Sequence, residues 1–393
     1  MQQLRHFVHS CTHTPSSTPA TNCSSFSDYF SIRRLDRSRQ ANPHHHRIQF
    51  MMEKGRPKLF ITADTNEFDR VELAKWEAEG YDVQYIPRAD THALELLADS
   101  MESDEKYSII AFGTAATIAL EYAMYPVSNL AALIAYYPTG LPSIFPQETF
   151  PQQIRRILLH LSDAQPFSIG ENSCRSLKVR TYQDTKPGFA EKLTVHYNST
   201  AANLAYSRTL AALRETIGPD VDLEDIWGEH LLYKFVDRDA NKTMDTMVKE
   251  PYVNHIPTMA GGVGYHDLQR FYRDFFIPHN PPSLRLRLIS RTVGTDRIVD
   301  EMICNFTHTE EMNWILPGVK PTGGTVSIAL VSIVCIRGSK LYHEHIYWDQ
   351  ASVLKQIGAV DFGSLPVVGA EAARKLEDKE AEPSNHLLPG WKV

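Results

Sequence analysis

Cysteine is scarce in this chain and follows no pattern. Five occur in 393 residues, at Cys11, Cys23, Cys174, Cys304 and Cys335, and no two stand in a C-x-x-C spacing. An odd, scattered set signals neither a disulfide framework nor a zinc site and fits a reducing compartment. Long hydrophobic runs are also lacking: the longest, Ser327–Ile336, is far too short to cross a bilayer. Positive charge is not in excess. The formal net charge is −7 and the pI near 6.2, which argues against nucleic acid or an anionic membrane as the main partner. No working phosphate signature is present. Ala260-Gly261-Gly262-Val263-Gly264 follows no strand of a βαβ unit and reads as a flexible loop, and Gly323-Gly324 lacks the Lys-Ser/Thr that a phosphate loop requires.

What is present is enough apolar material, 42% of residues, for packed cores over a length that suggests two domains. Residues 1–56 differ in kind: they are rich in Ser, Thr, His and Arg and nearly free of acids. They read either as a disordered extension, including an over-long start ahead of Met51 or Met52, or as a mitochondrial targeting segment. The expected setting is accordingly cytoplasmic, or mitochondrial if that segment is a true presequence. From Pro57 the pattern alternates. Strands are expected at Lys58–Thr62, Asp82–Pro87, Ser108–Phe112, Asn129–Tyr137, Arg155–Leu161 and Leu177–Tyr182, with helices over Asp69–Glu79, Thr91–Met101, Thr117–Met124 and Asn203–Thr216. Such alternation predicts a doubly wound parallel sheet covered by helices, over 57–218. After Gly218-Pro219 the order changes. Helices at Leu223–Val236 and Leu268–Phe276 precede strands at Leu284–Val293, Arg297–His308, Thr325–Ile336 and Lys340–Trp348. This predicts an α+β domain with an antiparallel meander over 219–369, followed by a loose charged tail over 370–393.

In the first domain the turn at Gly113-Thr114-Ala115-Ala116 has the small residues of a nucleophile elbow, a sharp strand-to-helix turn that lifts one reactive side chain above a sheet. Gly113 stands where the nucleophile belongs. The stretch Ala111–Ala116 and the segment Lys186-Pro187-Gly188-Phe189 resemble the elbow and the late H-G-F motif of the dienelactone hydrolases, members of the α/β-hydrolases. That resemblance implies a hydrolase fold over roughly 58–218, with Pro187 at the histidine position, Asp163 near the acid and Thr114 as the one nearby hydroxyl. A Gly cannot attack and a Pro cannot move a proton, so this reading makes the domain an inactive, pseudoenzyme one.

In the second domain, alternation puts His343, His345, Tyr347 and Asp349 on one face of the last strand, with Tyr342, Glu344, Ile346 and Trp348 on the other. In Arg297–His308, Met302, Cys304, Phe306 and His308 share a face opposite Glu301, Ile303 and Asn305. A curved sheet closed by a helix forms a pocket. A carboxylate in an apolar pocket is pushed toward protonation, and a nearby His titrates close to neutrality, so the two together can shift a proton beside a carbonyl. Each candidate has a plainer role too: Asp349 as a helix cap, His255 as a loop histidine, His345 and His308 as strand residues, Glu301 as a solvated carboxylate or a partner of Arg291. Same-face histidines can hold zinc, but no supporting carboxylate is evident.

Trp227 and Phe235, Tyr252-Val253-Asn254-His255-Ile256-Pro257, Leu316-Pro317-Gly318 with Pro321-Thr322-Gly323, and His345–Gly358 together resemble the SnoaL-like polyketide cyclases, of the cone-shaped nuclear transport factor 2 fold. The resemblance implies acid/base chemistry by an Asp with His assistance and without metal or organic cofactor. It also implies a homodimer through this domain. On that reading Asp349, His345 and His255 are catalytic, while Asn254, Glu301, His308, Phe306, Tyr347 and Trp227 line the substrate site. The expected protein is a cofactor-free cyclase or isomerase acting on a small carbonyl compound. The alternatives are a non-catalytic ligand-binding or scaffold protein, and a carboxymethylenebutenolidase-type ester or lactone hydrolase using the first domain.

Overall fold

The computed structural model describes residues 55–142, 150–151, 153–167 and 176–391. The extension over 1–56 falls outside them except for its last two residues, and Cys11, Cys23 and Cys174 lie outside as well. No helix among the described residues is long and apolar enough to cross a membrane.

The first half alternates as its pattern predicts: β1 (Lys58–Ala63), α1 (Arg70–Ala78), β2 (Asp82–Pro87), α2 (Thr91–Asp99), β3 (Tyr107–Phe112), α3 (Gly113–Tyr122), β4 (Leu130–Tyr136), β5 (Arg156–Ser162), β6 (Leu177–Tyr182) and α4 (Ser199–Ile217). The strands form one sheet in the order β2-β1-β3-β4-β5-β6, with every pair parallel. β3 and β4 are buried along their whole length. That is why they read as unbroken apolar runs: both faces of the sheet are covered. Asp69, Asp90 and Asn198 start α1, α2 and α4 by accepting a backbone N–H of the first turn.

The strand-to-helix turn is as sharp as its small residues suggest. Gly113 has φ +62°, and a Cβ there would lie 2.4 Å from Asp64 Oδ2. The space over the glycine belongs to this carboxylate from the end of β1. Asp64 accepts hydrogen bonds from Thr114 N at 2.8 Å and Ala115 N at 2.9 Å, the first free amides of α3.

The second half runs α5 (Leu223–Leu231), continued by a π-helical turn at Leu232–Val236, then α6 (Ala240–Asp245), β7 (Met247–His255), β8 (Ala260–Val263) and α7 (Tyr265–Arg270), continued by a π-helical turn at Phe271–Phe276. It is completed by β9 (Arg285–Val293), β10 (Arg297–Thr307), β11 (Thr325–Arg337), β12 (Lys340–Trp348), α8 (Gln350–Gln356) and α9 (Glu371–Glu377). The strand order is β8-β7-β12-β11-β10-β9. β9 to β12 form the expected antiparallel meander, but the sheet is mixed, because β7 joins β12 in parallel.

Two expectations are corrected here. The Ala260–Val263 glycine run is a strand, not a flexible loop. Gly261, at φ +142°, lets β8 lie so close to β7 that a Cβ would sit 2.0 Å from the Val253 carbonyl oxygen. The tail after Ala370 is also not loose throughout: α9 buries Ala373, and Glu377 pairs with Arg287 of β9.

The two halves touch through charge. Arg214 of α4 pairs with the fully buried Glu79 at 2.9 Å and donates to the Thr295 carbonyl. Ser207 Oγ donates to Asp296 at 2.5 Å, and Asp296 also pairs with Arg297 and Arg337. The Arg337 guanidinium lies over the Tyr206 ring, 4.5 Å from its centre.

Candidate active site

Asp222 starts α5 by accepting from Glu224 N and Asp225 N, and the helix turns Leu223, Ile226, Trp227, His230 and Leu231 inward. The same inward face continues into the π-turn and ends on Lys234, which is only 2% exposed. Its Nζ lies 2.8 Å from Glu344 Oε2 of β12, itself 3% exposed. The rings of Phe235, Tyr272 and Phe276 surround the ammonium, with centres 5.5, 5.6 and 5.1 Å away. Ser332 of β11 points to Glu344 Oε1 at a long 3.4 Å.

This ion pair lines a narrow cavity between the helices and the sheet, with about 30 Å³ of free space. The remaining wall is largely apolar and includes Trp227, Phe276, Trp314, Leu330 and Ile346, together with His255. Trp227 is fixed in that wall because its Nε1 donates to Asp300 at 2.8 Å, and Arg291 holds both oxygens of Asp300 at 2.7 and 2.8 Å. A volume of this size holds about one water molecule.

His255, at the end of β7, is 2% exposed and packs among Phe271, Phe276, Trp314 and Trp348. Its Nδ1 lies 3.0 Å from the Ala260 carbonyl oxygen, an acceptor. Nδ1 therefore carries the hydrogen and Nε2 the lone pair. Burial, reinforced by Lys234, pushes its pKa down to about 3. This corrects the expectation of a histidine titrating near neutrality: the apolar surroundings keep the ring neutral.

The remaining sequence candidates do not meet at this cavity. Asp349 is exposed and caps α8, accepting from Ala351 N at 3.0 Å. His345 and Tyr347 lie on the opposite face of β12 from Glu344 and Ile346. There His345 stacks on His343 at 4.7 Å between ring centres, and Tyr347 is 39% exposed. Burial pushes His343 down to about 4 and lowers His345 as well. The face expected to hold the site is thus the outer one. Ile346 and Trp348, both buried, mark the inner face, and Glu344 shares it. Asn254 precedes His255 in β7 and so falls on the outer side. Glu301 is on the outer side of β10 and accepts from Ser290 Oγ at 2.9 Å, whereas Arg291 pairs with Asp300 and Glu224 instead. Phe306 is a core residue outside the cavity wall. His308 is buried at the end of β10, where Thr322 N donates to its Nδ1 at 3.3 Å. Of the nine candidates, His255 and Trp227 line the cavity.

Sequence reasoning missed Lys234 and Glu344. A signal existed for each: Lys234 interrupts an apolar helical stripe at the i+7 position from Trp227, and Glu344 alternates with Ile346 and Trp348. In the first half, Asp163 accepts from Asp184 N and Thr185 N and so shapes the loop after β6, while Pro187 and Thr114 are exposed. No group of three or more His, Cys, Asp or Glu side chains suited to a metal occurs among the described residues.

Chemically, the cavity offers an ammonium, a carboxylate and a neutral imidazole nitrogen in water-poor surroundings. It can polarise one oxygen and take one proton. No family model matches the chain, and no curated protein matches it. Solved structures similar to it include TsrD from Streptomyces laurentii, at 18% identity and a TM-score of 0.29, covering 36% of this chain and 100% of that one. An NTF2-like protein of unknown function from Burkholderia pseudomallei is similar at 16% identity and 0.27, covering 34% and 95%. A protein described as a SnoaL-like polyketide cyclase from Jannaschia is similar at 19% and 0.28, covering 37% and 100%. At these identities and scores, the likeness carries no argument about activity or site residues.

Proposed function

We propose that this chain is a cofactor-free acid/base enzyme of the cyclase or isomerase type, acting on a small enolisable carbonyl compound. The observation that carries this reading is the buried Lys234–Glu344 pair facing an aromatic cavity, with a neutral His255 in the same wall. The Glu344 carboxylate removes the proton next to the carbonyl, the C–H electron pair moves into the enolate, and the negative charge develops on an oxygen held by the Lys234 ammonium. Glu344, now protonated, returns the proton to the same or another atom of the substrate. His255 Nε2 accepts a hydrogen bond and orients the ligand. The site thus centres on Glu344 and Lys234 and not on Asp349 and His345; His255 and Trp227 belong to it. In this reading the chain has two domains, over 57–218 and 219–369, the second SnoaL-like. The hydrolase-like first domain supports a structural role, since Asp64 fills the place of a nucleophile over Gly113. A cytoplasmic setting and a homodimer through the second domain belong to the same reading.

A second reading is a non-catalytic ligand-binding or scaffold protein. The small free volume favours it, since a substrate larger than water must displace side chains to enter. Deuterium wash-in separates the two. The full chain is incubated in D2O with a set of small cyclic ketones and 1,3-diketones, and exchange at the carbon next to the carbonyl is followed by NMR. Acceleration by wild type that disappears in a folded Glu344→Gln variant supports the enzyme. Wild type with no effect on any member of the set leaves the binding reading in possession.

A further inference from the structure

We infer that the core of the second half contains a site for one small neutral hydrogen-bonding molecule of the size and chemistry of water, bridging His230 and Tyr272. The inference is independent of the proposed activity. Both side chains are fully buried. The neighbours of His230 fix its tautomer. Thr246 Oγ1 lies 2.7 Å from the Thr243 carbonyl oxygen and gives it its only hydrogen. The same oxygen lies 2.7 Å from His230 Nδ1, so Nδ1 must be the donor in that contact. His230 Nε2 therefore presents a lone pair, and it meets no partner among the described residues. Burial, with Lys234 nearby, holds the ring neutral by pushing its pKa well below the usual value.

Tyr272 supplies the complement. Its hydroxyl is also buried and also without a partner among the described residues. The two rings meet edge to face with centres 6.2 Å apart. Neither can turn away to find another partner. His230 lies flat on Trp227, at 5.4 Å and 15°, and Tyr272 is packed by Phe271 and Phe276. A bare acceptor and an unused donor on adjoining, fully buried rings are the two partners that one bridging molecule would satisfy. It accepts from Tyr272 Oη and donates to His230 Nε2. Native interiors satisfy buried polar atoms in this way far more often than they leave them bare. An anion would meet the His230 lone pair, and a cation would face the neighbouring Lys234, so the molecule is neutral. By anchoring the Tyr272 hydroxyl, it fixes the ring that lies beneath the Lys234 ammonium, which makes Tyr272 and His230 positioning residues for the ion pair.

A crystal structure of the full chain, at a resolution that shows ordered water, tests this directly. A density peak within hydrogen-bond reach of both His230 Nε2 and Tyr272 Oη is expected. In 15N NMR, His230 should carry its hydrogen on Nδ1 alone and keep that form from about pH 8 to about pH 5. A double-mutant cycle of Tyr272→Phe and His230→Phe, read as denaturation midpoints, should be non-additive, because both residues hold one molecule. A direct Tyr272–His230 hydrogen bond, a hydrogen on Nε2, or an empty gap with an additive cycle would each overturn the inference. If either variant fails to fold, the wild-type crystal and the NMR spectrum decide it.

Discussion

Both ends of the Lys234–Glu344 pair are removed from water, so the pair carries a desolvation cost. Its energetics are asymmetric. Glu344→Gln leaves an unpaired buried ammonium and should lower stability by about 3–5 kcal/mol. Adding Lys234→Met should return part of that loss, since it removes the unpaired buried ammonium and leaves only the neutral amide introduced at position 344 to be satisfied. Urea unfolding of the single and double variants measures both. A second residue-level prediction concerns acid. His160 and His230 are held well below the usual imidazole range by burial, and His255 is pushed to about 3. In the unfolded chain all three take up protons near pH 6.5, as the folded chain does not. Their contribution is therefore present above pH 6.5 and is lost as pH falls toward the folded values. The urea midpoint should drop steadily between about pH 6.5 and about pH 4, and His255→Gln should flatten that slope by about one proton. Why the sequence led to His345 and Asp349 is visible at this scale. The alternating histidines of β12 point to the His345–Asp349 face, whereas the buried Ile346 and Trp348 orient the strand in the fold. His255 and Trp227 were legible because apolar and aromatic neighbours surround them in the chain.

At the scale of elements, most of the fold was legible. The strands of the parallel sheet match their apolar runs, and Asp69, Asp90 and Asn198 mark helix starts. The two π-helical turns were not legible, since a single wide turn leaves the apolar periodicity of a helix nearly unchanged. Nor was β8, whose glycines look like a loop until β7 lies 2.0 Å from a notional Cβ. Asp349 acts at this scale too. It ends β12 and starts α8, so Asp349→Ala should cost about 1 kcal/mol of stability through the lost cap. Thermal unfolding reads that loss. Any ligand bound at the Lys234 cavity should keep its affinity in the same variant, because Asp349 is outside the wall.

At the scale of the molecule, the contact between the halves could not be read from the sequence. Its members, Tyr206, Ser207, Arg214, Thr295, Asp296 and Arg337, are spread along the chain and carry no common motif. The contact links the core of the second half to the two core clusters that cover the first sheet. Arg337→Met removes a partner of Asp296 and the cation over Tyr206. It should turn a single unfolding transition into two, seen by calorimetry, with little change in the midpoint of the more stable half. Persistence of one transition would mean that the hydrogen bonds Arg214–Thr295 and Ser207–Asp296 suffice to join the halves.

The parallel pairing of β7 with β12 also sets an order of events during synthesis. The first sheet has all its strands once Tyr182 has been made, and α4 follows directly. The second sheet cannot close when β7 emerges, because the strand that lies beside it arrives last. Lys234 leaves the ribosome 110 residues ahead of Glu344, its buried counter-charge. Over that interval the helix carrying Lys234 has no reason to fold inward, and the growing chain presents an unfinished amphipathic edge. All strands of the first sheet are thus available before the second half is made, whereas the second sheet lacks a strand until β12 is made. A chain stalled before residue 340 would expose β7 and the aromatic wall of the cavity, which makes it the natural substrate for chaperones.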